Sequence, residues 1–160
     1  MAAEAKAGAA PSREELIRLL NEDLAREYQA IIAYVVYSQT LKGAAYMKIA
    51  EELAVHAGEE LQHALTVSKI IDYLGGQPTV SAKPVQAHKR AEDMLRQDLT
   101  FENETIQNYR ERVRQAEALG EYAIAEQIRA ILVQEQEHQI DLATALGQDV
   151  IEVSRPDQRA

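Results

Sequence analysis

The feature that most limits what this chain can fold into is an internal repeat. Glu27 precedes Glu60 by 33 residues and Glu102 precedes Glu135 by the same 33, and Glu60 and Glu135 open the motifs Glu60-Leu61-Gln62-His63 and Glu135-Gln136-Glu137-His138. Each pair is offset by 75, as are Leu20 and Leu95, Asp23 and Asp98, Leu24 and Leu99, Ile31 and Ile106, Tyr34 and Tyr109, and Ile49 and Ile124. Apolar residues between these positions step by three and four, the period of one helical face. The repeat therefore implies two helical hairpins related by an approximate two-fold axis, with four Glu and two His meeting at their centre.

Taken in order, residues 1–11 read as a flexible leader, and Ser12-Arg13-Glu14-Glu15 has the form of a capping box that starts a first helix. Its inward stripe is expected at Leu16, Leu20, Leu24, Glu27, Ile31, Tyr34 and Ser38. Gly43 marks a short turn, and Tyr46, Ile49, Leu53, His56, Glu60, His63, Val67, Ile70 and Leu74 trace a second helix. Gly75-Gly76-Gln77-Pro78 stops it. The stretch from Gly75 to Pro84 lacks helical periodicity and is expected to be a long crossover, because it has to join parallel second and third helices. A third helix is expected from the neighbourhood of Val85 to His88, with Leu95, Leu99, Glu102, Ile106 and Tyr109 on one face. Gly120 turns the chain into a fourth, which carries Ile124, Ile128, Ile131, Glu135, His138 and Leu142 and ends near Gly147. Residues 148–160 form a polar tail with no substantial fifth helix. The fold expected is all-α: a four-helix bundle over residues 12–147, with the long crossover between helices two and three.

Bulk properties remove several functions. The 160 residues contain no cysteine, which excludes disulfides, thiolate metal sites and a cysteine nucleophile. No stretch approaches the roughly 20 apolar residues of a membrane span, and residues 1–10 lack the regions of a secretory signal. A cytoplasmic protein with no membrane partner is expected. The net charge of −9 argues against a nucleic-acid partner.

Four carboxylates and two imidazoles on inward faces demand compensation, because an unpaired buried carboxylate is too costly to stay ionised. Two divalent cations supply +4 against −4. One Glu from each of two helices plus a Glu-x-x-His from each of the others is the carboxylate arrangement that holds two iron or two manganese ions. The metal ligands expected are Glu27, Glu60, His63, Glu102, Glu135 and His138. Tyr34 and Tyr109 lie two turns beyond Glu27 and Glu102, within reach of the centre as hydroxyl donors. His56 is expected to be a buried structural histidine and His88 to be exposed. Glu22, Glu51, Glu59, Glu104 and Glu137 are expected to face solvent or the inner surface of an assembly, and the remaining tyrosines to fill helix contacts.

These residues resemble the ferritin-like superfamily, and most closely the bacterioferritins, over nearly all of residues 12–147. Glu27 followed by Tyr34, then Glu60-Leu61-Gln62-His63, then Asp98-Leu99-Thr100-Phe101-Glu102, then Glu135-Gln136-Glu137-His138 match that family's ferroxidase pattern in order and spacing. The resemblance implies that Glu60 and Glu135 bridge two iron ions per subunit, that Glu27 and His63 complete one site and Glu102 and His138 the other. It implies oxidation of ferrous iron by dioxygen or hydrogen peroxide in a homo-oligomer that handles or stores iron. The family's haem is held by a methionine directly after the bridging Glu; Leu61 stands there, so no haem is expected. The alternative is a di-iron or di-manganese peroxidase or catalase without mineral storage.

Overall fold

The structure, a computed structural model, describes residues 10–150; residues 1–9 of the expected leader and 151–160 of the expected tail lie outside the described residues. Four long helices account for most of it: α1 Arg13–Thr40, α2 Met47–Tyr73, α3 Ala91–Ala118 and α4 Tyr122–Ala145, with a short 3-10 turn at Ala44–Tyr46. No strand occurs among the described residues. The Ser12 hydroxyl accepts from the Glu15 amide at 3.1 Å, which caps α1. Gly43, Gly75, Gly120 and Gly147 all have positive φ, so each helix ends or turns where a glycine tolerates left-handed backbone.

Hairpin α1–α2 packs on hairpin α3–α4 along the α1/α3 and α2/α4 seams. Direction follows from the cross-links. Thr40 of α1 meets Met94 of α3, Tyr34 meets Glu102, and Asp23 meets Arg112, so α1 and α3 are antiparallel and α2 and α3 parallel. The apolar core is split in two by the charged residues at mid-bundle. One cluster gathers Leu16, Leu20, Leu24, Val67, Ile71 and Ile128, and the other Leu41, Leu53, Leu95, Leu99 and Leu142. Each fully buried Leu or Ile adds roughly 1.5–3 kcal/mol. Apolar packing at both ends is what holds a polar centre in place.

The crossover is longer than the sequence pattern implies. It runs up to Arg90, and α3 starts at Ala91 rather than at residues 85–88. Side chains and one backbone carbonyl of α1 pin it as an extended strap. Asn21 takes the Thr79 amide at 2.7 Å, the Lys83 amide bonds the Ala25 carbonyl at 3.0 Å, Gln29 donates to the Pro84 carbonyl at 2.8 Å, and Tyr37 donates to the Gln86 carbonyl at 2.5 Å. These tertiary bonds satisfy backbone groups that a helical turn would otherwise use. They also correct the inner stripe of α1, where Tyr37 and Ala33 are buried while Ile31 and Ser38 are only half-buried.

One buried ion pair ties α1 to α3. Arg112 Nε lies 2.7 Å from Asp23 Oδ2, and Arg26 Nη1 lies 3.3 Å from Asp23 Oδ1. Burial pushes the Asp23 carboxyl up, to about 6, against the pull of Arg112. Arg112→Met is expected to cost roughly 2 kcal/mol in denaturant unfolding, since Asp23 would keep only Arg26. An unchanged midpoint would show the pair to be energetically idle.

Candidate metal centre

Each helix brings one carboxylate to mid-bundle, because Glu27, Glu60, Glu102 and Glu135 fall in phase with apolar neighbours on either side. All four are buried, as are His63 and His138, three residues after Glu60 and Glu135 on the same helical faces. The structure thus brings the six sequence-predicted ligands together. They form two overlapping groups, Glu27, Glu60, His63 and Glu135, and Glu60, Glu102, Glu135 and His138, with potential ligand atoms within 4.8 Å of one another in each. Glu60 and Glu135 belong to both.

The imidazoles aim Nδ1 at the carboxylates. His63 Nδ1 lies 3.2 Å from Glu60, 3.2 Å from Glu135 and 3.6 Å from Glu27. His138 Nδ1 lies 2.9 Å from Glu60, 3.4 Å from Glu135 and 3.5 Å from Glu102. One N–H cannot satisfy three acceptors. Glu27 Oε2, Glu60 Oε1, Glu102 Oε2, both oxygens of Glu135, and His138 Nδ1 are left buried without a hydrogen-bond partner. Orphaned polar atoms of this number in one spot are rare in folded proteins. A pair of divalent cations fits them, since each would replace a missing proton by a positive charge with several oxygen and nitrogen ligands.

Without cations the cluster must hold protons. Burial, then the charges of Glu135, Glu27 and Glu102, push Glu60 well above the usual carboxylate range. Burial and Glu135 push Glu102 up to about 8. Burial would raise Glu135 as well, but the protonated imidazoles of His138 and His63 beside it outweigh burial and hold that carboxylate low. Burial lowers the imidazoles, yet the surrounding carboxylates win, and His63 and His138 stay protonated far above their ordinary range.

The tyrosines reach across the two-fold. Tyr34 of α1 donates to Glu102 of α3, and Tyr109 of α3 donates to Glu27 of α1. Burial and the carboxylate each one faces raise both phenols well above the ordinary value, so both remain donors.

Some neighbours were not foreseen. Glu59 does not simply face solvent: its Oε2 lies 2.8 Å from His138 Nε2. Gln134 Oε1 lies 2.7 Å from His63 Nε2. The signal was present, since 59 and 134 are again 75 apart and directly precede the motif glutamates. His56 is buried as expected; it stacks on His138 with ring centroids 4.0 Å apart and bonds Asp141 at 3.1 Å. Glu52, His56 and Asp141 form a further group with ligand atoms within 4.8 Å, but Lys48 already neutralises Glu52 at 2.9 Å. His88 is half-buried rather than exposed, its ring 6.0 Å from that of Tyr37. Of the other tyrosines, Tyr73 and Tyr122 are exposed. No described helix is long and apolar enough to cross a membrane.

Residues 17–150 match the Ferritin family, described as a ferritin-like domain. The chain is 28% identical over 155 residues to a bacterioferritin of Streptomyces coelicolor, spanning 89% of this chain and 93% of that protein. A ferritin-like, diiron-carboxylate protein structure from Bacillus anthracis superposes with a TM-score of 0.80 at 32% identity, covering 84% of this chain and 96% of that one. A mycobacterial bacterioferritin structure superposes with a TM-score of 0.76 at 25% identity, covering 82% of this chain and 83% of the other.

Proposed function

Because the chain belongs to the ferritin-like domain family, we propose that it is a ferroxidase that oxidises Fe(II) to Fe(III) at the centre between its four helices and serves iron storage or detoxification. The observation that carries this reading is the convergence of three carboxylates on each histidine Nδ1, with most of the carboxylate oxygens unpartnered. Glu60 and Glu135, shared by both groups, would bridge two irons. Glu27 and His63 would complete one site, and Glu102 and His138 the other. Iron is here the substrate: two ferrous ions give two electrons to dioxygen, which takes two protons to become hydrogen peroxide, or to hydrogen peroxide, which takes two protons to become two waters.

The protein's own residues prepare this reaction. Four candidate ligands of each group come from three helices, so the bundle would hold the two ions on rigid elements without relying on a mobile loop. Tyr34 and Tyr109 hold Glu102 and Glu27 in orientation. Leucine at position 61 supplies no sulfur ligand, so the reading includes no haem. Ile32, Val35 and Val36 on α1 and Leu61 and Leu65 on α2 are 40–57% exposed, which supports a homo-oligomer. The cytoplasmic location expected from the sequence is retained.

Loading metal-free protein with excess ferrous iron in air and counting the iron that co-elutes with it on a sizing column tests the reading. Tens or more irons per chain are expected if the assembly stores mineral. A plateau near two, the capacity of one binuclear centre, would leave oxidation without storage. Iron that neither oxidises faster than in buffer nor co-elutes would overturn the proposal.

A further inference from the structure

The two-fold that relates the halves of the centre is broken at the residues behind the histidines. Both Nε2 atoms bond an oxygen at nearly the same distance, 2.8 Å for His138 to Glu59 and 2.7 Å for His63 to Gln134. Geometry is therefore equivalent, and charge is not. A carboxylate behind a ligating imidazole makes the ring a stronger donor and adds a negative charge near the ion; a neutral amide only fixes the tautomer.

Two further differences separate the halves. Asp23, one turn before Glu27, is tied to Arg112 and shares Arg26 with Glu104, while its repeat mate Asp98, one turn before Glu102, makes no ion pair among the described residues. The position equivalent to Arg112 in the other half is Tyr37, which is uncharged and turned to the crossover. The Glu27 half thus keeps one guanidinium, that of Arg112, with no counterpart in the other half. His63 and Gln134 also form part of the wall of an open surface cavity of about 650 Å³.

We infer that the two halves of the centre bind cations unequally: the Glu102–His138 half, backed by Glu59, takes the first ion tightly, and the Glu27–His63 half, backed by Gln134, takes the second loosely and exchanges it through the adjoining cavity. The inference rests on the binuclear centre proposed above. It makes Glu59 and Gln134 positioning residues that set the filling order, with one half retaining its ion while the other turns over.

Anaerobic titration of the metal-free protein with Co(II), followed by calorimetry and visible absorption, reads the two affinities. Wild type is expected to bind in two steps at least about 10-fold apart, the range in which partners of ligating histidines act. Glu59→Gln should weaken the tight step about 10-fold or more and leave the loose one in place. Gln134→Glu should tighten the loose step by a similar factor, a gain that damage to the fold would not produce. Crystals grown with one equivalent of cobalt should show it beside His138. Equal steps in wild type, steps insensitive to both substitutions, or a first ion beside His63 would overturn the inference while leaving the binuclear centre standing. If wild type binds no cobalt, the centre itself falls, and the inference with it.

Discussion

Glu60→Gln is expected to slow ferrous oxidation by well over 100-fold while leaving the metal-free bundle within about 1 kcal/mol of its parent stability at neutral pH. Loss of a hydrogen-bond partner behind a ligand already costs 10–100-fold in metal affinity or activity. Here a carboxylate common to both groups disappears, so neither half keeps its charge balance. The metal-free protein notices little, because burial and three neighbouring glutamates keep Glu60 protonated, and an amide closely matches a protonated carboxyl in size. Glu135→Gln makes the contrast. It removes the same metal bridge but also the anion that His63 and His138 both face, at a cost of roughly 3–5 kcal/mol in the metal-free form. Stopped-flow oxidation together with denaturant unfolding separates the two variants. Equal stability losses would show that the protons are not distributed as described.

The metal-free protein should become less stable as pH rises from about 5 to 8, and divalent cations should reverse the trend. Glu102 titrates near 4.5 when unfolded and near 8 when folded, so across that window the folded state holds the extra proton. His63 and His138 are raised likewise, extending the same slope above their unfolded value of 6.5. Stability falls with pH wherever the native state binds more protons than the unfolded one. Glu135 is shifted down, and its contribution is complete above 4.5, so it adds no slope there. Bound cations require the deprotonated ligands, release those protons, and so bind more tightly as pH rises. With redox-inert Zn(II) at about 1,000 times its dissociation constant, mass action adds about 4 kcal/mol. Thermal melts at pH 5 and pH 8, with and without zinc, read both signs. A metal-free melting temperature that climbs over this range would contradict the proton assignment.

Much of this was legible because the repeat carries information at two levels. The offset of 75 fixed which glutamates and histidines are equivalent, and helical phase put them on inward faces. Four helices, the glycine turns and the long crossover followed. The start of α3 did not, because Val85 to His88 is compatible with a helical turn, and only the hydrogen bonds from Gln29 and Tyr37 to the strap hold it extended. Glu59 was expected to face solvent or the inner surface of an assembly, and it is half-buried. A long side chain lets it turn back to His138 while 32% exposed, which helical phase alone does not report. The crossed pairing of Tyr34 with Glu102 and Tyr109 with Glu27 likewise needed the antiparallel register of α1 and α3.

The most direct test of the central claim is anomalous diffraction from crystals of the protein equilibrated anaerobically with Fe(II) or Mn(II). The account predicts two peaks about 3.5–4 Å apart, both within bonding distance of Glu60 and Glu135, one also contacting Glu27 and His63 and the other Glu102 and His138. Peaks confined to the surface, or no peak between the four helices, would contradict it.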